Sequence, residues 1–280
     1  KKKIKERNID VNFDELIKLD KNNRELIQKK ESLEQEKKSL SKTRNEENFK
    51  KSKILSQEIE SFSNNQEKIQ KAINNILANL PNLALQDVPV GKDESSNKII
   101  KKEGKAKKFN FSVKSHSEIG EKMDQMDFKT SSKLSGSRFV VLKDKFALLE
   151  RALINFMLDT HTYKFKYIEI SPPLIVNENV MFGTGQLPKF ESDQFEIKIE
   201  KDEERKFLIP TAEVSLTNLV RDSVVDLKNM PLRFVAGTPC FRKEAGSYGK
   251  DTKGMMRHHQ FYKVELVSIV EPKLCEKELN

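Results

Sequence analysis

Residues 232–244, LRFVAGTPCFRKE, and residues 258–270, HHQFYKVELVSIV, are two runs rich in apolar residues, separated by the polar segment 245–257, AGSYGKDTKGMMR. The Val, Phe and Thr content of the runs suits extended backbone, and glycines at 246, 249 and 254 suit a loop between them. Two strands joined in this way form an antiparallel hairpin with an oversized basic loop, and the domain around it is expected to be α+β. Alternate residues of a strand point to the same face. Arg242 and Glu244 therefore share one face of the first strand, and Phe261, Lys263 and Glu265 share one face of the second. A register that aligns these faces lines one surface with cations, two carboxylates and an aromatic ring. An Arg suits bidentate contact with phosphate, and a ring suits stacking on a purine. The competing reading of the same parity is a sheet with a solvated polar face.

Working outward, KFLIP (206–210) leads into TAEVSLTNLV (211–220), which is expected as a strand feeding a helix. FEIKIE (195–200) alternates strictly, and FKYIEI (165–170) is expected as a strand ending at Pro172 and Pro173. Phe146, Leu149, Leu153, Phe156 and Met157 recur on one face of a helix that Asp144 is placed to cap. Residues 81–115, with Pro81, Pro89, Gly91, Gly104 and the run KKEGKAKK, are expected as a connector. The segment 81–280 thus reads as a mostly antiparallel domain with flanking helices.

The first eighty residues are different in kind. All 10 Gly and all 9 Pro lie at or beyond position 81, so residues 1–80 lack both main interrupters of helix. Leu19, Leu26, Leu33 and Leu40 recur every seven residues, with Asn23, Lys30 and Lys37 at the other seam position. Leu55, Ile59, Phe62, Gln66, Ile69, Ile73, Ile76 and Leu80 follow alternating spacings of four and three, the heptad signature. Two helices meeting near Ser41 to Asn48 predict an antiparallel coiled-coil hairpin, opened by a capping box of Asn12 and Glu15 and closed by Pro81. Helices of about 28 residues are roughly 40 Å long, which suits a projecting arm.

Across 280 residues, 52 Lys and Arg oppose 43 Asp and Glu, a net charge of +9, and 34% of residues are charged. Residues 1–80 hold 19 of these cations against 14 anions, a net of +5, leaving +4 on the other 200 residues. A basic coiled coil can grip phosphate backbones without reading sequence; its plainer reading is a solvated spacer or dimerisation element. No segment has the apolar length of a membrane helix, and KKKIKER is followed by no signal-peptide core, so a cytoplasmic protein with no membrane partner is expected. Cys240 and Cys275 form no C-x-x-C pair, and with His258 and His259 they match no zinc spacing. No metal site is expected within the chain. Gly183 and Gly185 are followed by no G-K-[ST] and form no P-loop. With Lys at position 1, the chain is expected to begin inside its native sequence.

The run TPCFRKEAGSYGKDTKGMMRHHQFYKVELV resembles motif 2 of the class II aminoacyl-tRNA synthetases, and within them the seryl-tRNA synthetase family. So do IPTAEVSLTNL, FGTGQLPKF, and LSGSRFVVL followed by ALLERALINFMLDTHT. The coiled-coil hairpin, the connector NLPNLALQDVPVGKDES and this domain stand in the family's order, so the resemblance spans nearly the whole chain. It implies a class II fold, an antiparallel sheet flanked by helices, and a homodimer built around motif 1, matched here by YIEISPPLIV. It implies ATP and L-serine as substrates of a ligase that forms seryl-adenylate, then passes the seryl group to the 3′ end of tRNA(Ser) held by the basic arm. A selenocysteine tRNA is a second acceptor to consider.

Carried over by position, the resemblance assigns Arg242 to the α-phosphate and Glu244 to ATP, as the catalytic pair. Lys243, Arg257, His258 and Phe261 complete the ATP set, with Phe261 stacked on adenine. Thr211, Ala212 and Glu213 of the TAE triplet, together with Glu265, surround the serine. Two positions depart mildly: Lys243 stands where relatives often have a small polar residue, and His258 where Gln is common. The chain also stops at Asn280 before any counterpart of motif 3, which in the family supplies a second ATP-binding arginine and the Mg2+ ligands. The sequence is therefore expected to be incomplete for catalysis. The alternative is a catalytically inactive, synthetase-like tRNA-binding protein; a purely structural coiled coil would have no use for the motif 2 hairpin.

Overall fold

The heptads of the N-terminal region fold as their spacing demands. The computed structural model describes residues 2–42, 45–200, 204–245 and 254–279, and within it α1 (Lys2–Lys5) precedes two long helices, α2 (Phe13–Leu40) and α3 (Glu46–Ala78). Leu55 and Ile73 are buried in the α2/α3 seam, as is Asn23, whose amide donates to Gln70 Oε1 at 3.1 Å. Asn12 caps α2 by accepting from the Glu15 N–H at 3.1 Å, while the Glu15 carboxylate meets the Asn12 side-chain amide at 3.3 Å instead of closing the box on the backbone. Asn45 caps α3 through the Asn48 N–H, and α3 ends three residues before Pro81. The start of the connector packs with this unit: Lys3 donates to the Ala84 carbonyl, Arg7 to that of Asn82, and Asn8 to that of Gly91. One compact unit accordingly runs Lys1–Ala106 and the other Lys107–Asn280. Residues 97–115 carry no helix or strand, and all are exposed.

The second unit opens with α4 (His116–Lys122), β1 (Met126–Asp127), α5 (Phe128–Ser135), β2 (Val141–Leu142) and α6 (Asp144–Asp159). It continues through β3 (Ile168–Glu169), β4 (Ile175–Asn177), α7 (Glu178–Gly183), β5 (Glu196–Ile197), β6 (Lys206–Leu208), α8 (Glu213–Thr217), β7 (Leu232–Phe241), β8 (Gln260–Ile269) and α9 (Cys275–Leu279). Among the described residues β1 pairs with β2, the order β4-β6-β5 forms a second sheet, and β3-β7-β8 forms the third. Pairing is antiparallel except that β3 runs parallel to β7, so the domain is mostly antiparallel, as expected, with one parallel edge. The chain turns through Pro172 and Pro173 between β3 and β4, so β3 joins β7 only through Ile168, Glu169 and the N–H of Ile170, which donates to the Val235 carbonyl at 2.8 Å.

Two apolar clusters support these sheets. Val176, Met181, Leu187, Phe207, Ile209 and Val214 pack beneath the β4-β6-β5 sheet, and Ala212, Leu216, Phe234 and Ala236 beneath β7. The Phe241 N–H donates to the Ile209 carbonyl at 2.9 Å, which ties the end of β7 to the segment after β6. Helix α6 crosses β7 at Gly237, where a Cβ would lie 3.2 Å from both Ile154 and Leu158; the missing side chain permits this approach. Leu149, Leu153 and Phe156 point away and remain half or more exposed, at 53, 50 and 67%.

Two local expectations are corrected. Asp144 is the first residue of α6, with φ of +47°, and makes no cap bond; Lys143 occupies the cap position. The strand expected to feed a helix does so: β6 ends at Leu208, and residues 211 and 212 lead directly into α8. Only Glu196 and Ile197 of the alternating FEIKIE run pair as a strand.

Candidate active site

The register of the long hairpin decides which side chains meet. Cys240 pairs with Phe261, Thr238 with Lys263 and Ala236 with Glu265, so Phe261, Lys263 and Glu265 share a face with the even-numbered residues of β7. Arg242 stands one step past β7 and keeps this parity, because its N–H donates to the His259 carbonyl at 2.9 Å and His259 Nδ1 lies 3.0 Å from the Arg242 carbonyl. The aligned face expected from parity is present for these four residues. The Arg242 guanidinium carbon lies 5.2 Å from the Phe261 ring centroid, and its Nε donates to the Pro210 carbonyl at 3.2 Å.

Pro210 introduces the second group of residues. Thr211 and Ala212 are buried, and Thr211 Oγ1 donates to Glu265 Oε2 at 2.6 Å. Lys263 Nζ donates to the same hydroxyl at 2.8 Å and forms an ion pair with Glu265. Glu213, the first residue of α8, donates its N–H to Thr211 Oγ1 at 3.3 Å while its side chain is exposed. Ala212 packs among the apolar cluster below β7, so its share in a site is its backbone.

Glu244 departs from the parity reading. β7 ends at Phe241, and Glu244 adopts φ of +50°, so it is not a strand residue and its direction is set by its partners. Arg257 donates to Glu244 Oε2 at 3.0 Å, and Arg138 to the Glu244 carbonyl at 3.1 Å. Lys243 is not brought to Arg242: its N–H donates to the Asp193 carbonyl at 2.8 Å, and its ammonium lies 5.7 Å from the Phe195 ring. His258 is buried, with Nε2 3.0 Å from the Gly254 carbonyl, and burial pushes its pKa below the ordinary 6.5. Burial likewise raises the Cys240 thiol, which keeps it neutral beneath Arg242 and Lys263. A cavity of about 420 Å3 borders Phe261 and His258, but Arg242, Thr211 and Glu265 do not line it; the cluster lies on the sheet face instead.

Sequence reasoning left Arg138 and Asp193 without roles. Arg138 lies in the LSGSRFVVL segment, and Asp193 holds the turn after Arg242 by accepting the Ala245 N–H at 2.7 Å. Both contacts are long-range and leave no local pattern. Among the described residues no three His, Cys, Asp or Glu side chains cluster as a metal site.

An arginine beside an aromatic ring, on an antiparallel face that ends in a hydroxyl-carboxylate pair, is suited to hold a nucleotide next to a small polar substrate. Residues 195–280 match the family model described as tRNA synthetase class II core domain (G, H, P, S and T), which assigns the hairpin and its sheet to that class. Over 280 residues the chain is 55% identical to the serine-tRNA ligase of Pelagibacter ubique (strain HTCC1062), covering all of this chain and 67% of that protein. It is 46% identical to the serine-tRNA ligase of Parvibaculum lavamentivorans, over 94% of this chain and 64% of the relative. The seryl-tRNA synthetase of Pyrococcus horikoshii, solved with ATP, superposes with a TM-score of 0.82 at 32% identity, over 95% of this chain and 65% of that one. The chain belongs to the serine-tRNA ligase family. It spans about two thirds of the length of the relatives it matches.

Proposed function

We propose that the protein carrying this chain is an ATP-dependent serine-tRNA ligase. The observation that carries the reading is the face shared by Arg242, Phe261, Lys263 and Glu265, closed by Thr211, in a chain 55% identical to such an enzyme. A carboxylate oxygen of L-serine attacks the α-phosphorus of ATP, the bond to pyrophosphate breaks, and seryl-adenylate forms. The 3′-terminal ribose hydroxyl of tRNA(Ser) then attacks the seryl carbonyl and AMP leaves. Arg242 meets the α-phosphate, where fixed positive charge stabilises the charge that develops in transfer. Phe261 stacks on adenine, and Glu244, held by Arg257, faces the nucleotide. Lys243, turned to Phe195, has no geometric support as an ATP contact, and His258 supports the loop root from a buried position.

Serine differs from alanine by one hydroxyl, and Glu265 is the carboxylate available to accept it. A mostly buried carboxylate oxygen left without the substrate hydroxyl by alanine supports that discrimination. The relatives lend no support to the inactive alternative. A divalent cation is expected with ATP, but the described residues do not form a metal site, and no step is routed through one. The exposed Leu149, Leu153 and Phe156 of α6 support a homodimer, and the α2/α3 hairpin is the proposed tRNA-binding arm. No helix of the described residues is long and apolar enough to cross a membrane; a cytoplasmic site of action is proposed. The test is exchange of labelled pyrophosphate into ATP by the native protein with serine, alanine or threonine. Exchange that depends on serine alone is expected, and no serine-dependent exchange overturns the reading.

A further inference from the structure

Lys263 stands outside the roles assigned so far, yet it is at the centre of the serine-facing cluster. The Thr211 hydroxyl has one proton, and Glu265 Oε2 takes it at 2.6 Å. Its lone pairs accept from Lys263 at 2.8 Å and from the Glu213 N–H at 3.3 Å. Thr211 is therefore saturated within the protein and has no proton left for a substrate. Glu265 is asymmetric: Oε2 receives both Thr211 and Lys263, while Oε1 has no hydrogen-bond partner among the described residues. The torsion that turns a glutamate carboxylate is broad and two-fold, so nothing intrinsic to Glu265 chooses which oxygen points where. The choice is made by the two donors on Oε2, of which Lys263 alone carries charge.

We infer that Lys263 is a positioning residue for amino-acid selectivity: by clamping Glu265 Oε2 against Thr211 it presents Oε1 in one orientation to the serine hydroxyl. The inference rests on the serine-activating reading above. A surface ion pair with the same atoms would contribute little. Here the Lys263 and Glu265 side chains are only 31% and 21% exposed, and a third partner from another element completes the network. The same geometry reassigns Thr211 from direct serine contact to support of Glu265.

The experiment is pyrophosphate exchange by the native protein and its Lys263→Met and Lys263→Arg variants, with KM measured separately for serine and ATP and with alanine as competitor substrate. Expected for Lys263→Met is a rise in serine KM of about tenfold to a hundredfold, the range set by a hydrogen bond to a charged group. The ATP KM should stay within about twofold, and the serine-to-alanine ratio of kcat/KM should fall by about tenfold on the same scale. Lys263→Arg, which keeps the charge and the donors, should recover most of both losses. An unchanged serine KM in Lys263→Met, equal rises in both KM values, or an arginine variant as impaired as the methionine variant overturns the inference while leaving the proposed activity standing. If the wild-type protein shows no serine-dependent exchange, the activity and this inference fall together. Should Lys263→Met fail to fold, Lys263→Gln, which is uncharged and places its amide one atom short of the ammonium position, carries the same expectations for KM.

Discussion

The Arg242 guanidinium sits 5.2 Å from the Phe261 ring because Cys240 and Phe261 are cross-strand partners and Arg242 follows Cys240 by one pleat. The ring and the Pro210 carbonyl hold the long side chain in one orientation before any ligand arrives. Replacement by alanine removes the charge and leaves no buried group unpaired except that carbonyl. Arg242→Ala should therefore lower the rate of serine-dependent exchange by about a hundredfold to a thousandfold, with circular dichroism and the melting temperature close to wild type. Near-normal exchange would contradict the phosphate-binding role.

The role proposed for Phe261 uses its ring face alone. Phe261→Ala should raise the KM for ATP by about three- to tenfold, the range expected for an aromatic stacking contact, with little change in the serine KM. Phe261→Tyr should stay near wild type. A serine KM that rises as much as the ATP KM would show that the ring shapes the sheet rather than the nucleotide site.

His258 gives a pH prediction. Its folded-state pKa lies below the ordinary 6.5 because burial disfavours the imidazolium. The unfolded chain binds this proton first as pH falls, so stability is full above pH 6.5 and declines as pH drops below it, levelling once the folded form is also protonated. Thermal midpoints taken from pH 7.5 to 5 should fall across this window in the wild-type protein. His258→Gln, which offers an amide to the Gly254 carbonyl and does not titrate, should reduce that slope. An identical slope in both proteins refutes the assignment.

What could be read in the sequence follows from how local each signal was. The α2/α3 hairpin depends on heptad spacing and caps within a few residues, so Asn12, Leu55 and Ile73 could be placed directly. Arg242, Phe261, Lys263 and Glu265 could be grouped because strand parity is a period of two and the hairpin aligned it. Glu244 could not, since parity ends with β7 and a positive φ redirects the chain. Lys243 and Arg138 take their positions from Phe195, Asp193 and Glu244, partners separated widely in sequence or fixed by the turn itself. The direction of the apolar stripe on α6 was also hidden: periodicity shows that Leu149 and Leu153 share a face, not whether the chain itself covers it.

That stripe makes its own prediction. Ile154 and Leu158 pack on Gly237, while Leu149, Leu153 and Phe156 are exposed on the opposite side. Apolar side chains clustered this way mark an interaction surface, and a second copy is the proposed occupant. Leu153→Glu places a charge in that surface without entering the core. Light scattering should give about twice the chain mass for wild type and a shift to monomer for the variant, and a variant of unchanged mass would refute this interface.

The proposed tRNA-binding arm should be separable from amino-acid activation. Phe13 and Ala78 lie at the same end of the α2/α3 hairpin, so residues 14–80 can be removed and the ends joined within the first unit. The residues proposed to bind ATP and serine all lie between Thr211 and Glu265, and none is lost. The deletion variant should retain serine-dependent pyrophosphate exchange within about threefold, well under the tenfold that corresponds to 1.4 kcal/mol, while charging of tRNA(Ser) falls below detection. Because a basic arm holds phosphate through released counterions, tRNA affinity of the intact protein should also weaken steeply between low and physiological salt, whereas the serine KM should not. Parallel loss of exchange and charging in the deletion variant would overturn this division of labour.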